Sequence, residues 1–235
     1  MTPAATRPAI LLVEDDPEIR RWLRVILEAE GYQMLYAEGG AQGVIEAAAR
    51  SPELVLLDLG LPDLDGVEVI RRIRGWSAMP IIVISARGQE QDKVEALDAG
   101  ADDYVSKPFG VGELLARLRV ALRHAATVQS GSEPTRFITG GLEIDLAARL
   151  VRVDGGEVHL TPIEYKLLTA LARHPGRMLT HRQLLKEVWG PNFVEHHNYL
   201  RVHMSQLRRK IEAQPARPRY ILTEPGVGYR LSEDR

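Results

Sequence analysis

The chain has 235 residues, enough for one large or two ordinary domains, and its 45% hydrophobic and 26% charged content is that of a globular protein with ample core. It has no cysteine, which excludes disulfides, thiol nucleophiles and cysteine-ligated metals and is compatible with a reducing compartment. The net charge of −2 hides an asymmetry: residues 1–126 carry 14 Lys and Arg against 20 Asp and Glu, whereas residues 127–235 carry 16 against 12, so the halves suit different partners.

The first apolar run, Ala9 to Val13, is too short for a signal-peptide core or a membrane span, so a soluble cytoplasmic protein without membrane association is expected. That run reads as a buried strand ending in Glu14, Asp15 and Asp16. Pro17 then suits a first helical turn, and Ile19, Trp22, Leu23, Ile26 and Leu27 recur at helical spacing up to Gly31. A strand around Met34 to Ala37 precedes a helix from Ala41 to Ala49. Leu54 to Leu57 is all apolar and runs into Asp58, then into a loop marked by Gly60, Pro62, Asp63 and Gly66. Such a run suits a strand covered by helices on both faces. Val67 to Ile73 predicts a helix, Ile81 to Ile84 a strand ending at Ser85, and Glu90 to Ala99 a helix. Asp103 to Ser106 predicts a strand and Gly112 to Arg123 a helix. Five strands alternating with five helices predict an α/β fold with a doubly wound, five-stranded parallel sheet.

By itself Asp58 reads first as a turn former or helix cap. Glu14, Asp15, Asp58, Ser85 and Lys107, however, all fall at the carboxyl ends of strands, where open α/β sheets place their ligands. Clustered carboxylates repel one another, and a bound oxygen-seeking cation such as Mg²⁺ resolves this. Lys107 and the Ser85 hydroxyl could grip anionic oxygens, with Asp58 as a nucleophile toward phosphorus.

Val13-Glu14-Asp15-Asp16, Leu57-Asp58-Leu59-Gly60-Leu61-Pro62, Ser85-Ala86-Arg87 and Gly100 to Phe109 resemble the receiver domain of two-component response regulators. The resemblance implies that Asp58 accepts a phosphoryl group from a sensor histidine kinase. It implies that Glu14, Asp15, Asp58 and the Gly60 carbonyl hold Mg²⁺, and that Ser85 and Lys107 bind the phosphoryl oxygens. Tyr104 would be a switch aromatic that swings inward, and Lys107-Pro108 a cis peptide. The family often has Thr where this chain has Ser85, which keeps the hydroxyl. The resemblance also implies a homodimer on phosphorylation, with Lys93 paired to Glu113, Asp98 to Arg119 and Asp103 to Arg117.

Ala125 to Thr135, with Gln129-Ser130-Gly131-Ser132-Glu133-Pro134, loses apolar periodicity, so the expected organisation is a domain over 8–125, a tether over 126–135 and a second domain over 136–233. Strand-like runs follow at 136–139, 142–145, 150–153 and 158–160. Thr161-Pro162-Ile163-Glu164 has the residues of a capping box opening a helix to about His174. Thr180 caps a second helix to Trp189, and a third runs from about His197 to Glu212. Its apolar stripe, Leu200, Met204, Leu207 and Ile211, leaves Asn198, Arg201, Val202, Ser205, Gln206 and Arg209 outward. Two short strands around Glu224 to Gly228 form a hairpin. This pattern predicts an α+β winged helix-turn-helix, whose outward helix face reads either as a solvated surface or as base-edge donors. For His196-His197 and His203 no ligand arrangement in the sequence supports a metal site, and surface or phosphate-contacting histidines are expected.

Leu160 to Tyr165, Leu179 to Leu185, Val188-Trp189-Gly190, Leu207 to Ile211 and Gly228-Tyr229-Arg230 resemble the OmpR/PhoB-type winged-helix effector domain. Trp189-Gly190-Pro191-Asn192, Val194-Glu195-His196 and Pro215 to Arg219 further resemble a branch that regulates a potassium-transport operon. The resemblance implies a transcription regulator rather than an enzyme, with promoter DNA and RNA polymerase as partners. Arg182, Arg208, Thr223 and Tyr229 would lie near phosphates. Many relatives carry Arg in the wing where this chain has Pro225, so base reading should rest on the third helix. A Mg²⁺-dependent phosphatase or phosphotransferase acting through Asp58, or a receiver adaptor working by protein contacts alone, are the alternatives.

Overall fold

The apolar runs of the first half become one sheet. Strands β1 (Ala9–Val13), β2 (Gln33–Ala37), β3 (Leu54–Leu57), β4 (Ile81–Ser85) and β5 (Asp103–Ser106) pair in parallel in the order β2-β1-β3-β4-β5. The intervening helices are α1 (Pro17–Ala29), α2 (Gly40–Arg50), α3 (Gly66–Arg74), α4 (Glu90–Asp98) and α5 (Val111–Gln129). The computed structural model describes residues 7–129 and 135–233 and divides into units of residues 1–125 and 126–235, each treated by itself below. Every residue of β3 and β4 is buried, because crossover helices cover both faces of a parallel sheet.

Local chemistry places the helices. Asp16 caps α1, accepting hydrogen bonds from the Glu18 and Ile19 amides at 2.7 and 3.3 Å, and Pro17 occupies its first turn. Asp65 caps α3 through the Val67 amide at 2.9 Å. Immediately after that cap, Gly66 lies against the chain leaving β3. A Cβ there would sit 2.6 Å from Leu59 Cα and 2.7 Å from the Asp58 carbonyl oxygen. The Lys107-Pro108 peptide is cis. Helix α5 continues past Arg123 to Gln129, four residues into the segment expected as tether. Ala125-Ala126-Thr127-Val128 contains no breaker, and Gly131 is the first glycine after it. Residues 130–134 of that expected tether lie outside the described residues.

The second unit opens with an antiparallel sheet of β6 (Arg136–Thr139), β7 (Leu142–Asp145), β8 (Leu150–Val153) and β9 (Gly156–Glu157). The fourth strand, expected at 158–160, instead starts directly after Asp154 and Gly155. Both have positive φ, 50° and 81°, the backbone of a two-residue hairpin, so Gly156 pairs with Val153. Helices α6 (Pro162–Ala172), α7 (His181–Trp189) and α8 (His197–Ile211) follow. Capping boxes at Thr161/Glu164 and Thr180/Gln183 open the first two. The hairpin of β11 (Ile221–Glu224) and β12 (Gly228–Leu231) gains a third, two-residue strand, β10 (Leu179–Thr180). A 3₁₀ turn at Pro191–Phe193 joins α7 to α8. No helix among the described residues is long and apolar enough to cross a membrane.

Replacing Gly66 by Ala is expected to cost about 1–3 kcal/mol, because the new methyl meets backbone rather than a movable side chain. A lowered urea midpoint at unchanged slope checks this; an unchanged midpoint would show that the junction yields.

Candidate functional site

Parallel strands present all their carboxyl ends at one edge, and five side chains gather there. Glu14 and Asp15 follow β1, Asp58 follows β3, Ser85 ends β4 and Lys107 follows β5. Carboxylate oxygens of Glu14, Asp15 and Asp58 all lie within 4.8 Å of one another. The Lys107 ammonium donates to Glu14 Oε2 and Asp58 Oδ2, each at 2.7 Å. The Gly60 amide donates to Asp58 Oδ1 at 3.1 Å, and the Ser85 side chain favours the Asp58 carboxylate form. Glu14 is 1% exposed and Asp58 8%.

These contacts set the charge states. Burial pushes Asp58 upward, but the Lys107 hydrogen bond, the Gly60 amide, the lysine charge and Ser85 together hold its carboxyl below the ordinary value. For Glu14 burial dominates and, with the Asp58 charge, holds it above its ordinary value despite Lys107. Burial works against the Lys107 charge, yet its hydrogen bonds to Asp58 and Glu14 raise its pKa.

Three further residues support the site, and the sequence assigns none of them a role in it. Arg20, one of several arginines on α1, donates to the Glu14 and Asp15 carbonyls at 2.7 Å each and to Glu38 at 2.7 Å, clamping the acidic loop. Asp63 accepts from the Gly40 and Ala41 amides at 2.8 and 3.0 Å, tying the loop after Asp58 to the start of α2. Arg87 donates its amide to Ser85 Oγ at 3.2 Å and its guanidinium to Asp65 at 3.0 Å. Tyr104 is buried, with its hydroxyl donating to the Arg87 carbonyl.

Between β5 and α5 one cluster of charges closes within the chain. Arg117 pairs with the buried Asp103 at 2.8 Å and with Glu113 at 2.6 Å. Lys93 is half-buried and Asp98 exposed on α4, while Arg119 is exposed on α5 with its charge acting on Tyr32.

In the second unit, Leu200, Met204, Leu207 and Ile211 bury one side of α8. Asn198, Arg201, Val202, Ser205, Gln206 and Arg209 are all exposed, as are Arg182 on α7 and Pro225 at the hairpin tip. Arg208, Thr223 and Tyr229 come together: the Arg208 guanidinium donates to the Ile221 carbonyl and, at 2.6 Å, to Thr223 Oγ1. It also lies 5.5 Å from the Tyr229 ring centre. Tyr229 itself is buried, so these three are built into the joint between α8 and the hairpin. Glu212, at the end of α8, fastens the far end of that joint by accepting from the Arg219, Tyr220 and Ile221 amides at 2.7, 2.9 and 2.8 Å. His181 is buried against the His197 and Tyr229 rings, each 5.4 Å away. Burial, then His197 and Arg201, push its pKa down to about 4, so it stays neutral near pH 7. Among the described residues, the only group of three placed to hold a metal is Glu14, Asp15 and Asp58.

An acidic pocket bridged by a lysine at the edge of a doubly wound sheet, followed by a winged helix with an exposed polar recognition face, defines a response regulator with a DNA-binding effector. Residues 10–119 match the response regulator receiver domain, and residues 155–231 match the family described as transcriptional regulatory protein, C terminal. The chain belongs to the OmpR/PhoB-type response regulators, phosphorylation-dependent DNA-binding transcription regulators of two-component systems. It is 55% identical to the KDP operon transcriptional regulatory protein KdpE of Escherichia coli K12, over 94% of this chain and 98% of that one. It is 49% identical to the transcriptional regulatory protein KdpE of Mycobacterium tuberculosis, with the same coverage. A CheY-like receiver domain protein from Methanospirillum hungatei superposes with a TM-score of 0.50 at 29% identity, covering 52% of this chain and 99% of that chain.

The pocket's charges make stability pH-dependent. Asp58, with its pKa lowered, contributes stability present above its unfolded value and lost as pH falls through the lowered one. Glu14, with its pKa raised, contributes below its unfolded value and loses that contribution as pH rises through the raised one. In Lys107→Met both carboxyls lose their lysine and face each other. The variant should be less stable than the parent by on the order of 3 kcal/mol at pH 7.5 without divalent cations. The gap should narrow toward pH 5 as the carboxyls take up protons. Urea titrations across pH check this, and a gap that stays constant would show that the carboxylates do not repel.

Proposed function

We propose that Asp58 is the phosphoacceptor of a regulator that binds promoter DNA when phosphorylated by a sensor histidine kinase. The observation carrying this reading is the Lys107 ammonium 2.7 Å from both Asp58 and the buried Glu14, with Asp15 beside them. An Asp58 carboxylate oxygen attacks phosphorus. The bond from phosphorus to the donor's leaving atom breaks with its electron pair, and the phosphoryl group stays on Asp58 as an acyl phosphate. Lys107 and the Ser85 hydroxyl then meet the phosphoryl oxygens, and Tyr104 follows Ser85 as the switch. The three carboxylates form an all-oxygen donor set that suits a hard cation. Glu14, Asp15, Asp58 and the Gly60 carbonyl are assigned to hold Mg²⁺, which when bound offsets the negative charge of the transferring group.

The receiver spans 8–125 and the effector 136–233 in this reading, within the cytoplasm. Phosphorylation favours a homodimer through α4, β5 and α5. Lys93, Glu113, Asp98, Arg119, Asp103 and Arg117 supply the charges, and the Arg117 pairs made within one chain are exchanged or shared across the two-fold axis. RNA polymerase is the partner downstream. Identity of 55% to a KDP operon regulator supports a potassium-transport operon as the target.

On DNA, Asn198, Arg201, Val202, Ser205, Gln206 and Arg209 read base edges in the major groove, while the exposed Arg182 and Thr223 set the register against phosphates and Arg208 and the buried Tyr229 hold α8 to the hairpin behind them. Pro225 gives the wing no donor for the minor groove.

Asp58→Asn should take up no label from a phosphodonor in Mg²⁺, and should not dimerise in sedimentation under those conditions. Undiminished labelling would overturn the assignment. In binding-site selection, Arg201→Ala and Gln206→Ala should relax base preference, each costing about 1–3 kcal/mol per lost bidentate contact. Pro225→Ala should leave the preferred sequence intact; the reverse pattern would move recognition to the wing.

A further inference from the structure

Lys107 reaches two of the pocket's three acids, Glu14 and Asp58, at 2.7 Å each. Asp15 is exposed, and the fold grips it by its backbone. One nitrogen of Arg20, Nη1, donates to the Glu14 and Asp15 carbonyls at 2.7 Å each, and Nη2 reaches the Glu38 carboxylate at 2.7 Å. Glu38 directly follows β2, the strand that pairs with β1 on the side away from β3. The Arg20 amide in turn donates to the Asp16 carbonyl at 3.0 Å, and the Glu14 amide to the Ala37 carbonyl at 3.1 Å. A planar guanidinium thus fixes the carbonyls of two successive residues that carry pocket carboxylates, and ties them to the loop after a neighbouring strand. The Arg20 side chain is 16% exposed and sheltered from competing water, whereas that of Glu38 is 73% exposed.

We propose that Arg20 is a positioning residue that gives the acidic pocket its preference for a small divalent cation over a large one. The inference rests on Glu14, Asp15 and Asp58 as the Mg²⁺ donor set. Mg²⁺ demands near-ideal octahedral geometry with oxygens at about 2.0–2.1 Å, whereas Ca²⁺ accepts irregular shells with oxygens at about 2.3–2.6 Å. A site therefore selects the smaller ion only if its donors are kept from spreading. The donors here are like charges that push one another apart, all within 4.8 Å. By holding the Glu14 and Asp15 carbonyls, Arg20 stops the β1–α1 loop from relieving that repulsion. Without the clamp the loop can open to the longer distances that Ca²⁺ takes.

The test is the affinity of the full chain for Mg²⁺ alone and for Ca²⁺ alone, at constant ionic strength and without a phosphodonor. Amide NMR spectra follow both titrations and show at the same time that each variant is folded. Arg20→Met keeps the apolar stem and removes the fork. It should weaken Mg²⁺ binding about tenfold, the lower end of what losing a group that orients a metal ligand costs, and Ca²⁺ binding by less than about threefold. The preference for Mg²⁺ over Ca²⁺ therefore falls. Arg20→Lys, whose ammonium has no planar fork, should restore part of the preference. Glu38→Ala removes only the exposed anchor and should cost Mg²⁺ about two- to threefold, the scale of one exposed ion pair. If Arg20→Met does not fold, the same shift in preference is read from Arg20→Lys and Glu38→Ala. Equal weakening of both ions would mark a general loosening of the fold, and unchanged Mg²⁺ affinity would show that the clamp is idle. Either result overturns the role of Arg20 while leaving the donor set intact. A wild-type chain that binds neither ion overturns the donor set, and the role of Arg20 with it.

Discussion

One ammonium group holds the receiver's pocket together. Without Lys107, Glu14 and Asp58 would put two negative charges within a few ångströms, in surroundings that solvate them poorly. With it, each carboxylate has a charge-assisted hydrogen bond of 2.7 Å, and Asp58 stays ionised while Glu14 is pushed toward its protonated form. The arrangement is balanced rather than relaxed. Three acids share one lysine, so the site keeps an excess of negative charge that a cation can offset.

That balance depends on loops being fixed from outside. The peptide carbonyls of Glu14 and Asp15 are held by Arg20, and the chain after Asp58 is tied to α2 by Asp63 and to α3 by Asp65. Gly66 lets that chain pass close beneath the start of α3. Each contact is individually modest. Together they leave the acidic side chains few rotamers in which to escape their mutual repulsion, which is how a site of like charges stays preorganised.

The effector unit solves a different problem, that of orienting an exposed polar helix. Four apolar residues bury the inner side of α8, and its outer side gains nothing from the core. The angle at which that side is presented is instead set at the two ends of the adjoining hairpin. Arg208 bonds into β11 and lies beside Tyr229 of β12, while Glu212 gathers the amides at the start of β11. His181, neutral and buried, fills the space between Tyr229 and His197 at the head of α8. Helix and wing thus behave as one surface, which suits reading a groove with one element while the other meets the backbone.

Much of this was legible in the sequence because it is written in local patterns. The all-apolar run before Asp58, the acids after Val13, Lys107 before Pro108 and the stripe on α8 each follow from periodicity and turn chemistry, and the alternation of elements dictates a parallel sheet with its strand ends together. What escaped the sequence was whatever depended on pairing over distance. Two residues, Leu179 and Thr180, form a strand only because Gly228 and Tyr229 lie beside them, and the strand expected at 158–160 yields to a tight turn at Asp154 and Gly155. Arg20, Asp63, Arg87 and Glu212 look like ordinary surface charges until the fold brings a carbonyl, an amide or an opposite charge within 3 Å. Arg117 likewise reads as a charge for a partner, yet it reaches Asp103 and Glu113 of its own chain first. Sequence alone determined which residues carry chemistry and which faces are buried, since both follow from side-chain type and short-range period. Tertiary structure alone decided which charges meet, because Coulomb energy and hydrogen bonding depend on separations that only the folded chain defines.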